Sequence, residues 1–352
     1  MVPRQVTLTY PCADWHLSMP FNRPASVQSA AIARAGESNS VTGQNETYSC
    51  RFKAMLDDWR TRWHHGTANT TDPLFPVGFV QFGGQHHHKL ALSLSRSPLS
   101  LVLPTSLSLS PFHRVCLRAC STGPTCGPDA RIFATRIGQT GDAGVLASRP
   151  LWPNTFMATA IDLPNTPSSG SPAGGVHLMD KPTIAHRLAL GARATVYREA
   201  DLVHTGPQLL SVTRLGSTMR FLLTFADDPV HSSGGGSELE LRGTASGVAG
   251  FEIYDNLAWA TYRGPTIGVW VPARVVANTS SSLTVEAFSL LPQTTQIRYA
   301  HRDTPCPPHE CLVYNRAGLP LAPFQTTIAD SGGEHDGGEL SPFSPVKELP
   351  IK

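Results

Sequence analysis

The chain has 352 residues, 40% of them hydrophobic, long enough for about two domains with real apolar cores. Its 28 basic and 26 acidic side chains nearly cancel, which removes the electrostatic case for a nucleic-acid or anionic-membrane partner. No apolar run reaches the length of a membrane-crossing helix, and the opening MVPRQVTLTYPCADWHLSMP lacks the basic and apolar regions of a signal peptide.

Residues 1–35 carry Pro3, Pro11, Pro20 and Pro24, which break any long element, and only Val27 to Ala35 looks regular. Gly36-Glu37-Ser38-Asn39 follows. Read bare, Gly-x-Ser-Asn is either a nucleophile turn presenting Ser38 or a plain turn. Phe52, Met55, Leu56, Trp59 and Trp63 then recur at helical spacing, with Asp57, Asp58, Arg60 and Arg62 expected on the outer face. Phe75 to Phe82 is a buried-strand candidate.

Residues 86–127 alternate leucine with serine, but Pro98, Pro104 and Pro111 interrupt every few residues, so the stretch reads as a low-complexity insert. His86-His87-His88 is read as a solvated loop, because three consecutive side chains do not converge on one ion without a special turn.

Phe156 to Leu163 is an apolar run of strand length, ending near Asp162, and a Pro/Ser/Gly-rich loop follows from Pro164 to Gly175. His177 comes next, then Asp180-Lys181-Pro182. Asp180 is a good N-cap and Pro182 suits a first helical turn. Ile184, Leu188, Gly191 and Ala192 give the helix one close-packing face. Strand, loop, histidine, helix puts His177 at the carboxyl end of a parallel strand, where α/β folds bind ligands.

From Arg198 the composition changes to short Val/Leu/Phe/Thr runs between turn clusters: Leu209–Val212, Met219–Phe225, Leu239–Leu241, Gly250–Tyr254, Thr266–Val271, Ser282–Phe288 and Gln296–Tyr299. That spacing predicts an all-β sandwich over 198–330. Among seven cysteines, Cys306 and Cys311 in CPPHEC are close enough to bridge a small loop, and a zinc site using His309 is the rival reading. Asn45, Asn69 and Asn278 head glycosylation sequons. After Asp330 the composition predicts a disordered tail.

PNTFMATAIDL, a loop, and then VH..DK..IAHRLALGARA resemble the histidine block of the sialate O-acetylesterase family, although Leu178 stands where the family has proline. GESN followed by a tyrosine, a cysteine and a helix ending in DDW-R resembles its third block. FPVGFVQF and CLVYNRAGLPLAPFQTT are similar to further blocks of that family. The resemblance covers roughly 36–84 and 132–330. It implies an α/β class fold: a partial SGNH (flavodoxin-like) serine-esterase domain over 36–197, followed by the β-domain.

The activity it implies is removal of O-acetyl groups from sialic acids or sialoglycans, with no metal or cofactor. The location it implies is lysosomal or secreted, and neither nucleic acid nor membrane is an expected partner. His177 is the implied base and Asn39 the implied oxyanion donor. Gly36, Glu37 and Gln139 are expected to shape the substrate pocket. Asp162 is the nearest upstream carboxylate for a third triad member, since Gly174 occupies the position three before the histidine. Ile137-Gly138 stand where relatives have Trp-His before Gln139-Thr140. The family's nucleophile lies in an upstream Gly-Gln-Ser-Asn turn that this sequence does not contain, and no Gly-x-Ser-x-Gly elbow replaces it. Ser38 is the outside candidate. A non-catalytic luminal glycan-binding or structural glycoprotein is the alternative of a different class.

Overall fold

The computed structural model describes residues 31–34, 47–81, 83–84, 128–141, 144–147, 151–165, 177–226, 238–242, 250–255, 269–287, 294–329. Gly36, Glu37, Ser38, Asn39, Asn45, the 86–127 stretch with its histidine triplet, and the tail beyond Asp330 lie outside the described residues.

The amino-terminal unit is a parallel sheet in the order β1-β2-β3, with β1 Ala31–Arg34, β2 Val77–Gln81 and β3 Thr155–Thr159. Ile32 pairs with Gly78, and Phe79 with Met157. Helices α1 (Tyr48–Gly66) and α2 (Pro128–Gly138) pack on each other, and α3 (Lys181–Thr195) packs on β3 and β2. Alternate strand residues face opposite ways. Val77 and Phe79 join Phe52 and Leu56 of α1 in one core, with the Phe52 and Phe79 rings edge to face at 4.9 Å. Val80 and Ala160 meet Ile184 and Leu188 of α3 in another.

Arg60 corrects an expectation from the helical pattern, which put it on the outer face. It is 5% exposed, and its guanidinium donates to the carbonyls of Phe75, Pro153 and Asn154. The turns before β2 and β3 leave the Phe75 and Pro153 carbonyls to this buried cation, which also shares the Asn154 carbonyl with the Val77 amide of β2. Strand β3 also stops at Thr159, short of the expected Leu163.

The second unit is antiparallel. Strands β4 (Leu209–Arg214), β5 (Arg220–Phe225), β7 (Phe251–Asp255), β8 (Val269–Asn278), β9 (Ser282–Ala287), β10 (Thr294–Tyr299) and β12 (Phe324–Thr327) form one sheet in the order β12-β10-β7-β8-β9-β5-β4. β6 (Leu239–Leu241) and β11 (Val313–Asn315) form a separate two-stranded ribbon. The chain leaving β12 returns to β4, where Ala329 donates to Val212 and accepts from Arg214, so the ends of the strand order meet. The sheet therefore wraps a core of Phe221, Leu223, Ile253, Val285, Ile297 and Phe324, onto which the ribbon also packs. The sandwich expected from the turn spacing takes this unequal form, one curled seven-stranded sheet with a two-stranded ribbon.

β8 runs past Pro272, where the sequence suggested an end. Pro272 pairs with Glu252 of β7, while pairing with β9 begins only at Ala273, so the missing amide costs no ladder bond on that side.

Helix α3 approaches the sheet closely because Gly191 faces Phe156. A Cβ there would sit 2.7 Å from Phe156 Cδ2. Gly191→Ala is expected to destabilise the protein by about 1–3 kcal/mol through overpacking. Phe156→Leu in the same chain should recover part of that loss in urea unfolding.

Candidate functional site

His177 lies half-buried between the end of β3 and the start of α3. Two polar side chains fix that segment. The buried Asn165 amide donates to the His177 carbonyl at 3.0 Å, and its oxygen accepts from the Met179 amide at 2.8 Å. Asp180 caps α3, accepting from the Thr183 amide at 3.1 Å and the Thr183 hydroxyl at 2.8 Å. Burial works against the charged form of Asp180. The Thr183 hydrogen bonds and neighbouring His309 outweigh it and hold the carboxyl below its ordinary 3.8. Leu178, in place of the family's proline, is buried against Ala160 and Ile184.

Asp162 is fully buried three residues beyond β3. Arg187 of α3 grips it at both oxygens, at 2.6 and 2.8 Å, and also donates to the Thr159 carbonyl. The Tyr314 hydroxyl of β11 adds a third bond at 3.0 Å. Burial pushes the Tyr314 phenol pKa up, and the Asp162 charge adds to the shift, so the hydroxyl stays protonated as a donor. The carboxylate is thus spent on Arg187 and Tyr314, and no hydrogen bond joins it to His177.

Gln139 is fully buried. Its amide donates to the Val80 carbonyl at 3.0 Å, bracing the carboxyl end of β2, and its Oε1 has no partner among the described residues. Gln81, also buried, donates to the Arg136 carbonyl at 3.2 Å. At the altered Ile137-Gly138 position, a Cβ on Gly138 would stand 3.1 Å from the Ser49 amide and 3.2 Å from Tyr48 Cβ. The glycine lets α2 meet the first turn of α1, and a histidine there would push the helices apart.

Cys306 and Cys311 form a disulfide. Their sulfurs are bonded to each other and offer no thiolates, which overturns the rival zinc reading, and no group of three or more metal-ligand side chains occurs among the described residues. Cys50 is disulfide-bonded as well, a feature its spacing did not announce. Asn69 and Asn278 are exposed. A pocket of about 170 Å³ between β3 and residues 204–208 reaches Arg187, Thr159 and Gln208 but not His177. Among the described residues no helix is long and apolar enough to cross a membrane. Sequence reasoning missed Arg187, Tyr314 and His309 as partners of the histidine segment. CPPHEC was the local signal for His309.

A parallel α/β unit with a histidine at the carboxyl end of a strand, tied to an antiparallel β unit, defines the class. Residues 232–328 match the family described as the sialate O-acetylesterase C-terminal domain. The chain is 30% identical over 298 residues to a sialate O-acetylesterase of Mus musculus, covering 84% of this chain and 44% of that protein. It is 29% identical over 301 residues to the Homo sapiens sialate O-acetylesterase, covering 85% and 46%. With these matches the chain is a sialate O-acetylesterase-like protein. It spans less than half the length of the curated relatives it matches.

Breaking the buried pair on one side, with Arg187→Met or Asp162→Ala, is expected to cost about 3–5 kcal/mol, because a charge is left buried and unmatched. The double change Asp162→Leu/Arg187→Met should cost less than either single change in urea unfolding.

Asp180 gives a pH-dependent counterpart. Asp180→Ala should lose about 1 kcal/mol with the cap. Its folded pKa lies below the unfolded value, so its ionised contribution is fully present above about pH 4 and is lost as pH falls through the folded value. The stability gap between wild type and Asp180→Asn should therefore shrink below pH 4.

Proposed function

We propose that this chain carries the general base and one oxyanion donor of an SGNH-type serine esterase that removes O-acetyl groups from sialic acids. The observation that carries the reading is the placement of His177 at the carboxyl end of β3, with its backbone fixed by Asn165. The names of the relatives supply the substrate class.

In this mechanism a serine attacks the acetyl carbonyl while His177 takes the hydroxyl proton. His177 then protonates the departing sugar hydroxyl, and water deacylates the enzyme with His177 again as base. Asn39 donates to the tetrahedral oxyanion, with Gly36 and Glu37 shaping the turn around it. Gln139 acts from behind, holding the end of β2. Asp162 fixes the strand end and helix that flank the histidine. The nucleophile is supplied by a Gly-Gln-Ser-Asn turn outside this sequence. A lysosomal or secreted glycoprotein is consistent with the Cys306–Cys311 disulfide and the exposed Asn69 and Asn278.

The second reading, a non-catalytic luminal glycan-binding or structural protein, is favoured by Gly138 wedged where relatives carry histidine.

Fluorophosphonate labelling and hydrolysis of an O-acetylated sialic acid separate the readings. The chain alone should not label. Supplied with the family's Gly-Gln-Ser-Asn segment it should label and hydrolyse, and His177→Ala should lower the rate by roughly 10²–10⁴-fold. Labelling of the chain alone that is lost in both Ser38→Ala and His177→Ala would make Ser38 the nucleophile. A supplemented chain that folds and stays inert would overturn the esterase reading in favour of a non-catalytic protein.

A further inference from the structure

The segment carrying His177 begins at the end of β3 with Asp162 and ends at Asp180, the cap of α3. A single residue of the β unit contacts both of these positions. His309 sits in the loop closed by Cys306 and Cys311, with a left-handed backbone at φ 61°. Its backbone amide donates to the Asp162 carbonyl at 2.8 Å, and its ring Nε2 lies 3.2 Å from Asp180 Oδ2. Cys306 Sγ lies 4.0 Å from the Ile161 carbonyl, so the same loop also lies against the residue before Asp162.

These contacts are far apart in sequence, and neither end of the histidine segment supplies them for itself. The Asp162 carbonyl leaves the sheet where β3 has ended, and the loop amide satisfies it. The Asp180 carboxylate already serves two Thr183 donors, and the His309 ring takes one of its oxygens from the side facing the β unit. An exposed ring on a free loop would contribute little. Here the disulfide closes the loop over five residues of separation, which limits the freedom the ring must give up.

We propose that His309 is a positioning residue: the disulfide-closed 306–311 loop clamps the strand end and helix cap that flank His177 and so fixes the histidine relative to the sheet. This rests on the reading of His177 as the base. It adds a residue of the β unit to the machinery of the site, acting through Asp162 and Asp180 rather than on substrate.

The test is amide hydrogen exchange on the full chain, which needs no turnover and so stands or falls separately from the esterase reading. His309→Gly keeps the backbone amide and suits the positive φ while removing the ring. Exchange at Leu178 and Met179 should quicken roughly two- to fivefold, with Val285 and Ile297 in the β core unchanged. In an Asp180→Asn background the same change should add no further acceleration. Cys306→Ser with Cys311→Ser should quicken the same amides at least as much. Unchanged exchange at Leu178 and Met179 in both variants would overturn the proposal. So would a uniform rise that includes the β core, since that reports general loosening.

Discussion

A buried carboxylate, Asp162, ties the end of β3 both to helix α3 and to the β unit. An ionised group with no solvent exposure is tolerated only when its charge and lone pairs are matched. Its donors come from two places, the paired nitrogens of Arg187 on α3 and the Tyr314 hydroxyl on the β6–β11 ribbon, and Arg187 also donates to the Thr159 carbonyl. Removing either Asp162 or Arg187 leaves the other's charge buried and unmatched. Around this node Tyr314 is further fixed by the Arg242 guanidinium, 4.1 Å above its ring, and by the Cys311 amide on its oxygen. The strand end, the helix and the ribbon are therefore mutually dependent.

What the sequence made legible follows from the range of the interactions involved. Helix α1, the Asp180 cap of α3, and strands β5, β7 and β9 rest on apolar spacing and capping within a few residues, and those were readable. The Cys306–Cys311 bridge was readable for the same reason. Helix α2 was not. It follows a proline- and serine-rich stretch, and its inward face includes the fully buried Arg136, whose partners are the carbonyls of Arg302 and Asp303. Arg60 misled for a like reason: a periodicity argument sends a charged side chain outward, and only distant carbonyls bring it in. At the candidate site, His177 stood out through its neighbours in the chain, whereas Arg187, His309 and Tyr314 earn their places through folding alone. Asp162 was picked for its nearness to the histidine, and its hydrogen bonds run to the fold instead.

The contacts between the units concentrate in a short stretch of the β unit. Arg136 donates to Arg302 and Asp303, Cys306 touches Ile161, His309 contacts Asp162 and Asp180, and Tyr314 reaches Asp162. Gly144 adds a close approach at φ 87°, where a Cβ would stand 2.6 Å from the Phe324 Cα. Residues 302–315 thus form a collar on the carboxyl end of the parallel sheet, the end that carries His177. The family match over 232–328 contains that whole collar. The segment recognised as a C-terminal domain is consequently not an appendage to the α/β unit: it contacts both Asp162 and Asp180, which flank the histidine in the chain. An α/β unit cut away from it would lose the Tyr314 bond to a buried charge and both contacts of His309, so the geometry of the candidate base belongs to the two units jointly.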